Sequence, residues 1–281
     1  MKRNMTTILL FVVLFVGLAL LLYPSVSDFY NSFHQSRAVA TYNTVVEQES
    51  KQDYEADWAA ANAYNEKLRA QSTVDRLIMT DEEREEYDAV MNVGGSGIIG
   101  VIEIPQIAVT LPLYHSTNAN VLQVAVGHIE GTSLPTGEPG THSAFSAHRG
   151  LPSAKLFTNL DQLTYGDTFT LRVLDKVLTY EIDQILIVEP HDVSALQIYD
   201  GMDLCTLVTC TPYGVNDHRL LVHCVRTKYN KKDVDKQKSL AGRHWGKREF
   251  AVLIVVVAIV LLLLDIVIHA VRKRRKTKAS A

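Results

Sequence analysis

The chain has 281 residues, a formal net charge of −3 and 47% hydrophobic residues. This length accommodates one good-sized domain with accessory segments, and the charge excludes the basic footprint that nucleic-acid-binding proteins carry. Three cysteines are an odd number, so at least one thiol stays free in any pairing.

The N-terminus predicts a membrane anchor. Two basic residues precede an uncharged apolar run, residues 6–23, which is about long enough to cross the roughly 30 Å hydrocarbon core of a bilayer. A cleavable signal peptide is the alternative, because Ser25 and Ser27 imitate a small-x-small cleavage site. We predict an uncleaved signal anchor over residues 6–23, with residues 1–5 in the cytoplasm.

A second apolar run predicts a second membrane span at residues 250–271. It follows a juxtamembrane linker, 229–249, and precedes a strongly basic tail, 272–281. The alternative is a buried core helix, but little of the sequence follows that could cover it. Because basic residues favour the cytoplasmic side, both termini are predicted in the cytoplasm, with the middle of the chain on the extracellular face of the cell membrane.

Residues 24–96 predict a helical extracellular segment, since Ala, Glu, Gln, Lys and Arg are frequent there. Thr80-Asp81-Glu82-Glu83 resembles a capping box that starts a second helix, Asp81–Met91. The segment is interpreted either as a stalk that packs on the next domain or as a regulatory element. The glycine-rich joint 94–97 marks the domain boundary.

Residues 97–228 predict a mainly β domain, because short apolar strands recur between turn signals. Two short helices are expected near Asn118–Val126 and Ala154–Leu163. This pattern is typical of a closed or sandwiched β architecture. The predicted strands are Ile98–Ile104, Val109–Tyr114, Ser143–Ala147, Thr168–Leu174, Leu178–Val188, Leu204–Cys210 and Leu220–Arg226.

The most informative stretch is 206–226, TLVTCTPYGVNDHRLLVHCVR. Its first strand should stop just after Cys210, because Pro and Gly occupy turn positions in the next four residues. Arg219 opens the following strand. If the two strands pair, a thiol and a guanidinium lie on the same rim, and a cationic neighbour favours the nucleophilic thiolate.

These residues resemble the signature of the sortases, and most closely that of the class C, pilus-assembling sortases of Gram-positive bacteria. The matching set is TLVTC with Cys210, Arg219 nine residues later, and His148 in Ser-Ala-His-Arg-Gly about sixty residues upstream. Further matches occur at 102–105 and 127–135. The resemblance implies an eight-stranded sortase barrel and a cysteine transpeptidase.

The resemblance also implies a role for each of the three residues. Cys210 is the nucleophile that attacks the Thr–Gly carbonyl of a Leu-Pro-x-Thr-Gly signal, His148 is the general acid and base, and Arg219 positions the substrate or stabilises the oxyanion. The residues that compete with the last two are His115, His128, His142, His218, Arg149 and Arg226, of which His128 and Arg226 are predicted to be structural.

The predicted partners come from the same resemblance. They are pilin or surface-protein precursors with an LPxTG signal, a Lys-bearing pilin acceptor and the cytoplasmic membrane, with no nucleic acid. No metal-ligand spacing such as C-x-x-C or H-E-x-x-H occurs, so neither a metal nor a cofactor is predicted. Three alternatives remain: a cell-wall-anchoring sortase that uses a peptidoglycan-precursor amine, a plain cysteine protease, and an inactive surface-anchored binding module.

Two features depart from a typical class C sequence or stay open. Class C sortases commonly carry a lid with an Asp-Pro-aromatic motif, whereas the nearest substitute here is Val74-Asp75-Arg76-Leu77. We therefore predict no standard lid, so that the lid is degenerate or the site is open. Cys205 is predicted on the opposite strand face from Cys210, and Cys224 is interpreted as a small buried hydrophobe.

Overall fold

The structure is a computed structural model that describes residues 2–48, 51–228 and 258–259. The chain divides into two compact units, 1–241 and 242–281. The predicted linker, second span and basic tail lie outside the described residues, apart from the helical residues 258–259. The helices and strands with defined bounds all lie in the first unit.

The described residues of this unit form five α-helices: α1 Lys2–Gln48, α2 Lys51–Arg69, α3 Thr73–Arg76, α4 Asp81–Ala89 and α5 Ala119–Leu122. The prediction that the segment before the glycine-rich joint is helical is thus confirmed. The capping box is also confirmed, because the Thr80 hydroxyl accepts a hydrogen bond from Glu83 N while the Glu83 carboxylate accepts one from Thr80 N. This exchange satisfies two backbone donors that the first turn of α4 leaves open.

Eight strands form a closed barrel in the order β1-β2-β3-β4-β7-β8-β6-β5. Their bounds are β1 Ile98–Ile104, β2 Val109–Tyr114, β3 Val126–His128, β4 Thr141–Ser146, β5 Thr168–Val173, β6 Lys176–Val188, β7 Asp203–Thr211 and β8 His218–Thr227. The mainly β prediction is confirmed, and the seven predicted strands agree with the observed ones within two residues. Closure removes the exposed edges that an open sheet of these apolar strands would present.

The structure differs from the local predictions at three points. The short helix expected near Asn118–Val126 is present as the four-residue helix α5. Val126, the last residue of the expected range, instead begins β3, a strand that the sequence analysis missed. The helix expected over Ala154–Leu163 is replaced by turns and a single 3-10 turn at Leu160–Gln162. A three-residue strand is too short to show an alternating pattern, which explains why β3 escaped detection.

The pairing pattern brings several strand termini to one end of the barrel. β4 runs parallel to β7, and β8 runs antiparallel to β7 and β6. The ends of β4, β6 and β7 and the start of β8 therefore share one end, named here the rim. The starts of β4 and β7 lie at the other end, named the far end.

Helix α1 joins an apolar segment to the barrel wall. In the part of the chain that the structure describes, one helix is long and apolar enough to cross a membrane, Val12–Gln48, and the apolar window within it has a mean hydropathy of 1.9 with no part buried. Further along, Tyr42 is buried and its hydroxyl donates to Ile99 O while accepting from Leu174 N. α1 is therefore both an exposed apolar rod and a packed element of the domain.

Candidate active site

Cys210 and Arg219 face each other across two adjacent strands. Cys210 is the penultimate residue of β7, Arg219 is the second residue of β8, and the register pairs them directly. Directly opposed residues in an antiparallel pair have Cβ atoms about 4.5–5.5 Å apart. The structure thus brings the predicted nucleophile and the predicted guanidinium together, and both side chains are partly exposed.

His148 reaches the same rim from β4. The parallel register pairs Ser146 with Val208, and Ala147 N continues the pairing by donating to Val208 O at 3.3 Å. The Thr209 hydroxyl also donates to Ala147 O at 2.8 Å. Since parallel strands advance together, two more residues place His148 level with Cys210. His148 is partly exposed, so it is accessible to a substrate.

Backbone carbonyls hold the Arg219 guanidinium. Its Nη1 donates to His218 O at 3.1 Å and to Asn216 O at 3.4 Å. The loop that supplies one of these carbonyls begins with a cis Thr211–Pro212 peptide, and Pro212 O accepts bonds from the amides of Val215 and Asn216. A guanidinium has five N–H donors, so these two contacts leave donors that can bind a substrate carbonyl or an oxyanion.

Sequence reasoning treated Arg149 only as a competitor of Arg219, but in the structure Arg149 connects the loops at the rim. Its guanidinium donates to Thr211 Oγ1 at 3.2 Å, pairs with Asp161 through a short contact and lies 5.9 Å from the centre of the Tyr213 ring. The side chain is only 8% exposed, so it ties the loop after β4 to the loop after β7 from inside.

The neighbouring glycine completes this connection between the loops. Gly150 has φ +74°, and a Cβ there would lie 2.7 Å from the Tyr213 ring. A side chain could not fit without moving the ring. A signal for this connection was present, because Gly150 follows the His-Arg pair and Tyr213 follows Pro212, yet the contact itself joins residues more than sixty positions apart.

Two competing histidines are buried away from the rim. His128 Nδ1 bonds the Tyr87 hydroxyl at 2.8 Å and its Nε2 bonds Ser133 O at 2.8 Å. His142 Nδ1 bonds Gln197 O at 2.8 Å and its Nε2 bonds Thr206 Oγ1 at 2.8 Å. Burial lowers the pKa of His128 to about 3 and that of His142 to about 4, so both rings are neutral at physiological pH.

The other competing residues also have structural surroundings. His115 Nε2 bonds Val90 O at 2.7 Å, and burial lowers the pKa of its imidazole. His218 pairs with Asp217 and with Glu189, and the Asp217 hydrogen bond raises the pKa of the exposed His218 imidazole. Each of these rings is thereby engaged with neighbouring protein groups.

Arg226 lies at the far end of the barrel. It is seven residues after Arg219 on β8, a separation of about 23 Å along a strand. Its guanidinium is 5.6 Å from the centre of the Tyr180 ring, and its Nε is 3.9 Å from the Asp203 carboxylate. This placement separates Arg226 from Cys210 and makes it a matched comparison residue for Arg219.

The other two cysteines face each other inside the barrel. All three cysteines are free, and the register pairs Cys205 directly with Cys224. Both are fully buried, and burial raises the pKa of each thiol well above its ordinary value. Cys210 differs because it is partly exposed. Among the three thiols, burial alone therefore singles out Cys210 as accessible.

The segment around Asp75 is anchored at the far end. Arg76 is buried, and its guanidinium donates to Gly131 O at 2.9 Å and to Leu196 O at 2.5 Å. Gly131 allows this approach, since a Cβ there would lie 2.0 Å from Arg76 O. Asp75 points away into a local cap, where it accepts from Ser72 Oγ at 2.6 Å.

This anchor is far from the rim along β4. Gln197, next to Leu196, bonds His142 near the start of β4, while His148 lies six residues further on, about 20 Å along a strand. The contacts of Arg76 therefore fix its segment to the opposite end of the barrel from Cys210.

The rim thus carries an accessible thiol, an imidazole and a guanidinium on or just beyond three adjacent strands, β4, β7 and β8. A family model described as the sortase domain matches residues 102–227. Sortase C1 from Streptococcus agalactiae is similar at 44% identity and a TM-score of 0.65, covering 69% of this chain and 100% of that one. Sortase C of Streptococcus pneumoniae is similar at 40% identity and a TM-score of 0.60, covering 69% and 97%.

The chain belongs to the sortase family, and its solved structural neighbours are class C sortases. Among curated proteins, sortase D of Bacillus subtilis is 30% identical over 115 residues, which make up 41% of this chain and 55% of that protein. The chain spans about half the length of the curated relatives it matches.

Proposed function

We propose that the protein is a membrane-anchored cysteine transpeptidase of the pilus-assembling type. It cleaves an LPxTG-type sorting signal between Thr and Gly through a thioester on Cys210, and it passes the acyl group to a Lys amine of a pilin. The observation that carries this proposal is the strand register that pairs Cys210 with Arg219 and sets His148 level with them.

The first half of the reaction forms the thioester. The Cys210 thiolate attacks the Thr carbonyl carbon, and the electron pair of the C=O bond moves to oxygen. Arg219 donates hydrogen bonds to this oxyanion, which is where its remaining N–H groups are needed. As the intermediate collapses, the C–N bond breaks and protonated His148 gives its proton to the leaving Gly amine.

The second half transfers the acyl group. A neutral Lys amine attacks the thioester carbon, and His148, now neutral, takes a proton from the attacking nitrogen. Collapse of this second intermediate expels the Cys210 thiolate and leaves an isopeptide bond. The protonated imidazole and the thiolate are restored, so the cycle needs no metal, cofactor or external proton.

The choice of a pilin acceptor rests on the class C resemblance. The solved neighbours are class C enzymes, and the work on the Streptococcus pneumoniae sortase C structure concerns pilin substrate specificity. A helical segment precedes the barrel, as the class C interpretation expects. A cell-wall anchoring sortase would have the same rim but use a peptidoglycan-precursor amine.

The proposed location is the cell membrane, with the catalytic domain outside. The apolar N-terminal helix supports this anchor by its length, composition and exposed surface. Residues 250–271 supply the second proposed span, and the basic residues at both chain ends favour cytoplasmic termini.

Intact-mass spectrometry tests the proposed activity. The full-length protein in detergent is mixed with a Leu-Pro-x-Thr-Gly peptide, and Cys210→Ala is run beside it, with and without a Lys-bearing pilin peptide. We expect an acyl adduct on the native protein alone and its transfer to the Lys acceptor. Cys205→Ala is a matched control that should keep the adduct, because that thiol is buried in the barrel.

The other outcomes separate the alternatives. Transfer to a peptidoglycan-type amine but not to pilin Lys would indicate an anchoring sortase. Release of the peptide acid despite added amine would indicate a protease. A folded protein that forms no adduct would contradict the transpeptidase proposal and favour a binding module.

A further inference from the structure

We propose that Arg149 is a positioning residue for the transfer reaction: its buried guanidinium holds the loop after His148 against the end of β7 and thereby sets the distance between the imidazole and the Cys210 thiol. The proposal rests on the proposed function, in which His148 and Cys210 act together. It adds a side chain that works through these two residues from inside the barrel.

The strand ladder ends before it reaches the two reacting side chains. The parallel register of β4 and β7 ends with the pair Ser146 and Val208, and the amide of Ala147 adds one further bond to Val208 O. His148 and Cys210 each lie two residues past the last pair in the register of these described strands. Side-chain contacts are therefore needed to fix one strand end against the other.

Two side-chain hydrogen bonds extend the connection between the strands. The Thr209 hydroxyl donates to Ala147 O at 2.8 Å, and Arg149 Nη1 donates to Thr211 Oγ1 at 3.2 Å. The first bond joins the residues immediately before the histidine and the thiol, and the second joins the residues immediately after them. The second bond depends on the guanidinium, so a change at Arg149 removes it.

This second bond lies on the inner side of the strand and leaves the substrate side open. Thr209 and Thr211 are buried, while Cys210 between them is partly exposed. Since successive side chains of a strand point to opposite faces, the two threonines face the barrel interior and the thiol faces outwards. Arg149, whose side chain is 8% exposed, thus reaches β7 without competing with a peptide for Cys210.

The guanidinium is itself fixed in place. Nη2 of Arg149 pairs with the Asp161 carboxylate through a short contact, and Asp161 belongs to the 3-10 turn Leu160–Gln162. The guanidinium carbon also lies 5.9 Å from the centre of the Tyr213 ring. A planar, forked group can make these contacts in one geometry, whereas a Lys ammonium on a flexible stem cannot.

The loop that carries Arg149 is tied to His148 at both ends. Phe157 N donates to His148 O at 3.2 Å, and Gly150 N donates to Thr158 Oγ1 at 3.1 Å. The chain therefore leaves the histidine and returns to it within residues 148–158. A displacement of Arg149 is transmitted to His148 through this closed loop.

The consequence for catalysis is a matter of distance. Proton transfer needs a donor and an acceptor within about 2.6–3.2 Å, and a misplacement of about 1 Å can cost about 10²-fold in rate. Because Arg149 is buried, its loss should leave the affinity for the peptide nearly unchanged. A positioning role thus predicts a fall in kcat with little change in KM.

The first test measures transfer of an LPxTG peptide to a Lys acceptor. Arg149→Lys should lower kcat by about tenfold to thirtyfold with KM within about threefold, and Thr211→Val should lower kcat by about fivefold. Because both variants remove the same bond, the double variant should be no more than about twofold slower than Arg149→Lys. Effects that multiply in the double variant would show that Arg149 does not act through Thr211.

The second test does not depend on activity. Hydrogen exchange followed by mass spectrometry should show about tenfold faster exchange at residues 211–216 in Arg149→Lys and at residues 148–158 in Thr211→Val. The effect is reciprocal because each variant releases the loop on the other side of the bond. Thr211→Val keeps the buried charge, so it tests the same bond if Arg149→Lys does not fold. Native exchange in both segments would overturn the proposal.

Arg76→Lys is the matched control. Arg76 is another buried arginine, but its guanidinium binds two backbone carbonyls at the far end. This variant should lose stability in urea and keep native kcat. An equal fall in kcat for Arg76→Lys, or native kcat in a folded Arg149→Lys enzyme, would overturn the proposal. A native enzyme that forms no acyl adduct would count against the proposed function, while hydrogen exchange would still decide whether Arg149 joins the two loops.

Discussion

The two ends of strand β4 carry two histidines with opposite surroundings. His142, near the start, is fully buried and both of its ring nitrogens are hydrogen-bonded to the protein. His148, just past the end, is partly exposed and lies level with Cys210. The residues are six positions apart, so the same strand supplies a structural ring at the far end and an accessible one at the rim.

This difference shows how burial assigns a role to a titratable group. Removing His142 from water lowers its pKa to about 4, which leaves no charged form near neutral pH. A general acid must change its protonation state during turnover, and it must also reach the substrate. His142 satisfies neither condition, whereas the position of His148 at the rim satisfies the second.

Replacing each of the two histidines separately by alanine gives the largest expected difference in the rate of acyl transfer. His148→Ala should lower the rate of acyl transfer by about 10²- to 10⁴-fold, the usual worth of a general acid and base. His142→Ala should change that rate by less than threefold. Steady-state transfer of an LPxTG peptide to a Lys acceptor measures both effects.

Stability measurements supply the control for this pair. His142→Ala leaves Gln197 O and Thr206 Oγ1 without their partner, and each buried orphan costs about 1–3 kcal/mol of unfolding free energy. His148→Ala should leave stability nearly unchanged. A folded His148→Ala enzyme with native turnover would show that the rim has another proton carrier.

The two arginines at the ends of β8 give the next contrast. Arg219→Lys keeps the positive charge but loses the forked donors, and we expect transfer to slow by roughly tenfold to 10²-fold, somewhat less than loss of a complete oxyanion donor. Arg226→Lys, seven residues further along, should leave the rate unchanged. The measurement is kcat at saturating peptide. Full activity of Arg219→Lys would refute bidentate positioning of the substrate by Arg219.

Strand alternation and turn chemistry were readable in the sequence, while contacts across the barrel were not. The strand that carries Cys210 and the one that begins near Arg219 were predicted because β-branched runs stop at a Pro-Gly turn. β3 was missed because three residues carry no period. The helix expected over Ala154–Leu163 fails because tertiary contacts override weak helix propensity there, including the Asp28–Lys155 bond.

In the site, too, residues in short sequence motifs were predictable, whereas contacts between residues distant in the sequence were not. The nucleophile, the histidine and Arg219 lie in short motifs whose spacing is visible along the chain. Arg149 was undervalued because its partners, Thr211 at the end of β7 and Asp161 further along the β4–β5 connection, are not its neighbours in the sequence. Arg76 went unrecognised as an anchor because its acceptors, Gly131 O and Leu196 O, are backbone carbonyls that no sequence pattern marks.

Acid should weaken the folded barrel through its buried histidines. The folded-state pKa values of His128 and His142, about 3 and 4, lie below the unfolded value of about 6.5, so the unfolded state binds more protons as the pH falls. The contribution of these two neutral rings to the free energy of unfolding is therefore fully present above about pH 6.5 and decreases as the pH falls below that value. Between pH 7 and pH 5 each ring contributes a loss of about 2 kcal/mol.

Asp203 acts in the opposite direction. Burial raises its pKa to about 6, so the folded state binds an extra proton between about pH 6 and pH 4 and gains about 1 kcal/mol by pH 5. The combined loss from His128, His142 and Asp203 at pH 5 should then be about 2–3 kcal/mol. Urea unfolding at the two pH values measures it, and His142→Gln should remove about 2 kcal/mol of the loss. An unchanged pH dependence in that variant would mean that His142 is not titrating.

The smallest expected effect concerns the segment where class C sortases commonly carry a lid. Asp75 is exposed and bonds only locally to Ser72, while its neighbour Arg76 holds the segment at the far end, about 20 Å along β4 from the rim. Asp75→Ala should therefore hydrolyse peptide at the native rate. Arg76→Ala is the matched variant, and it should lower stability because two buried carbonyls lose their donor. A several-fold rise in peptide hydrolysis by Asp75→Ala, measured by release of the peptide acid without acceptor, would show that this residue gates Cys210 in spite of its distant anchor.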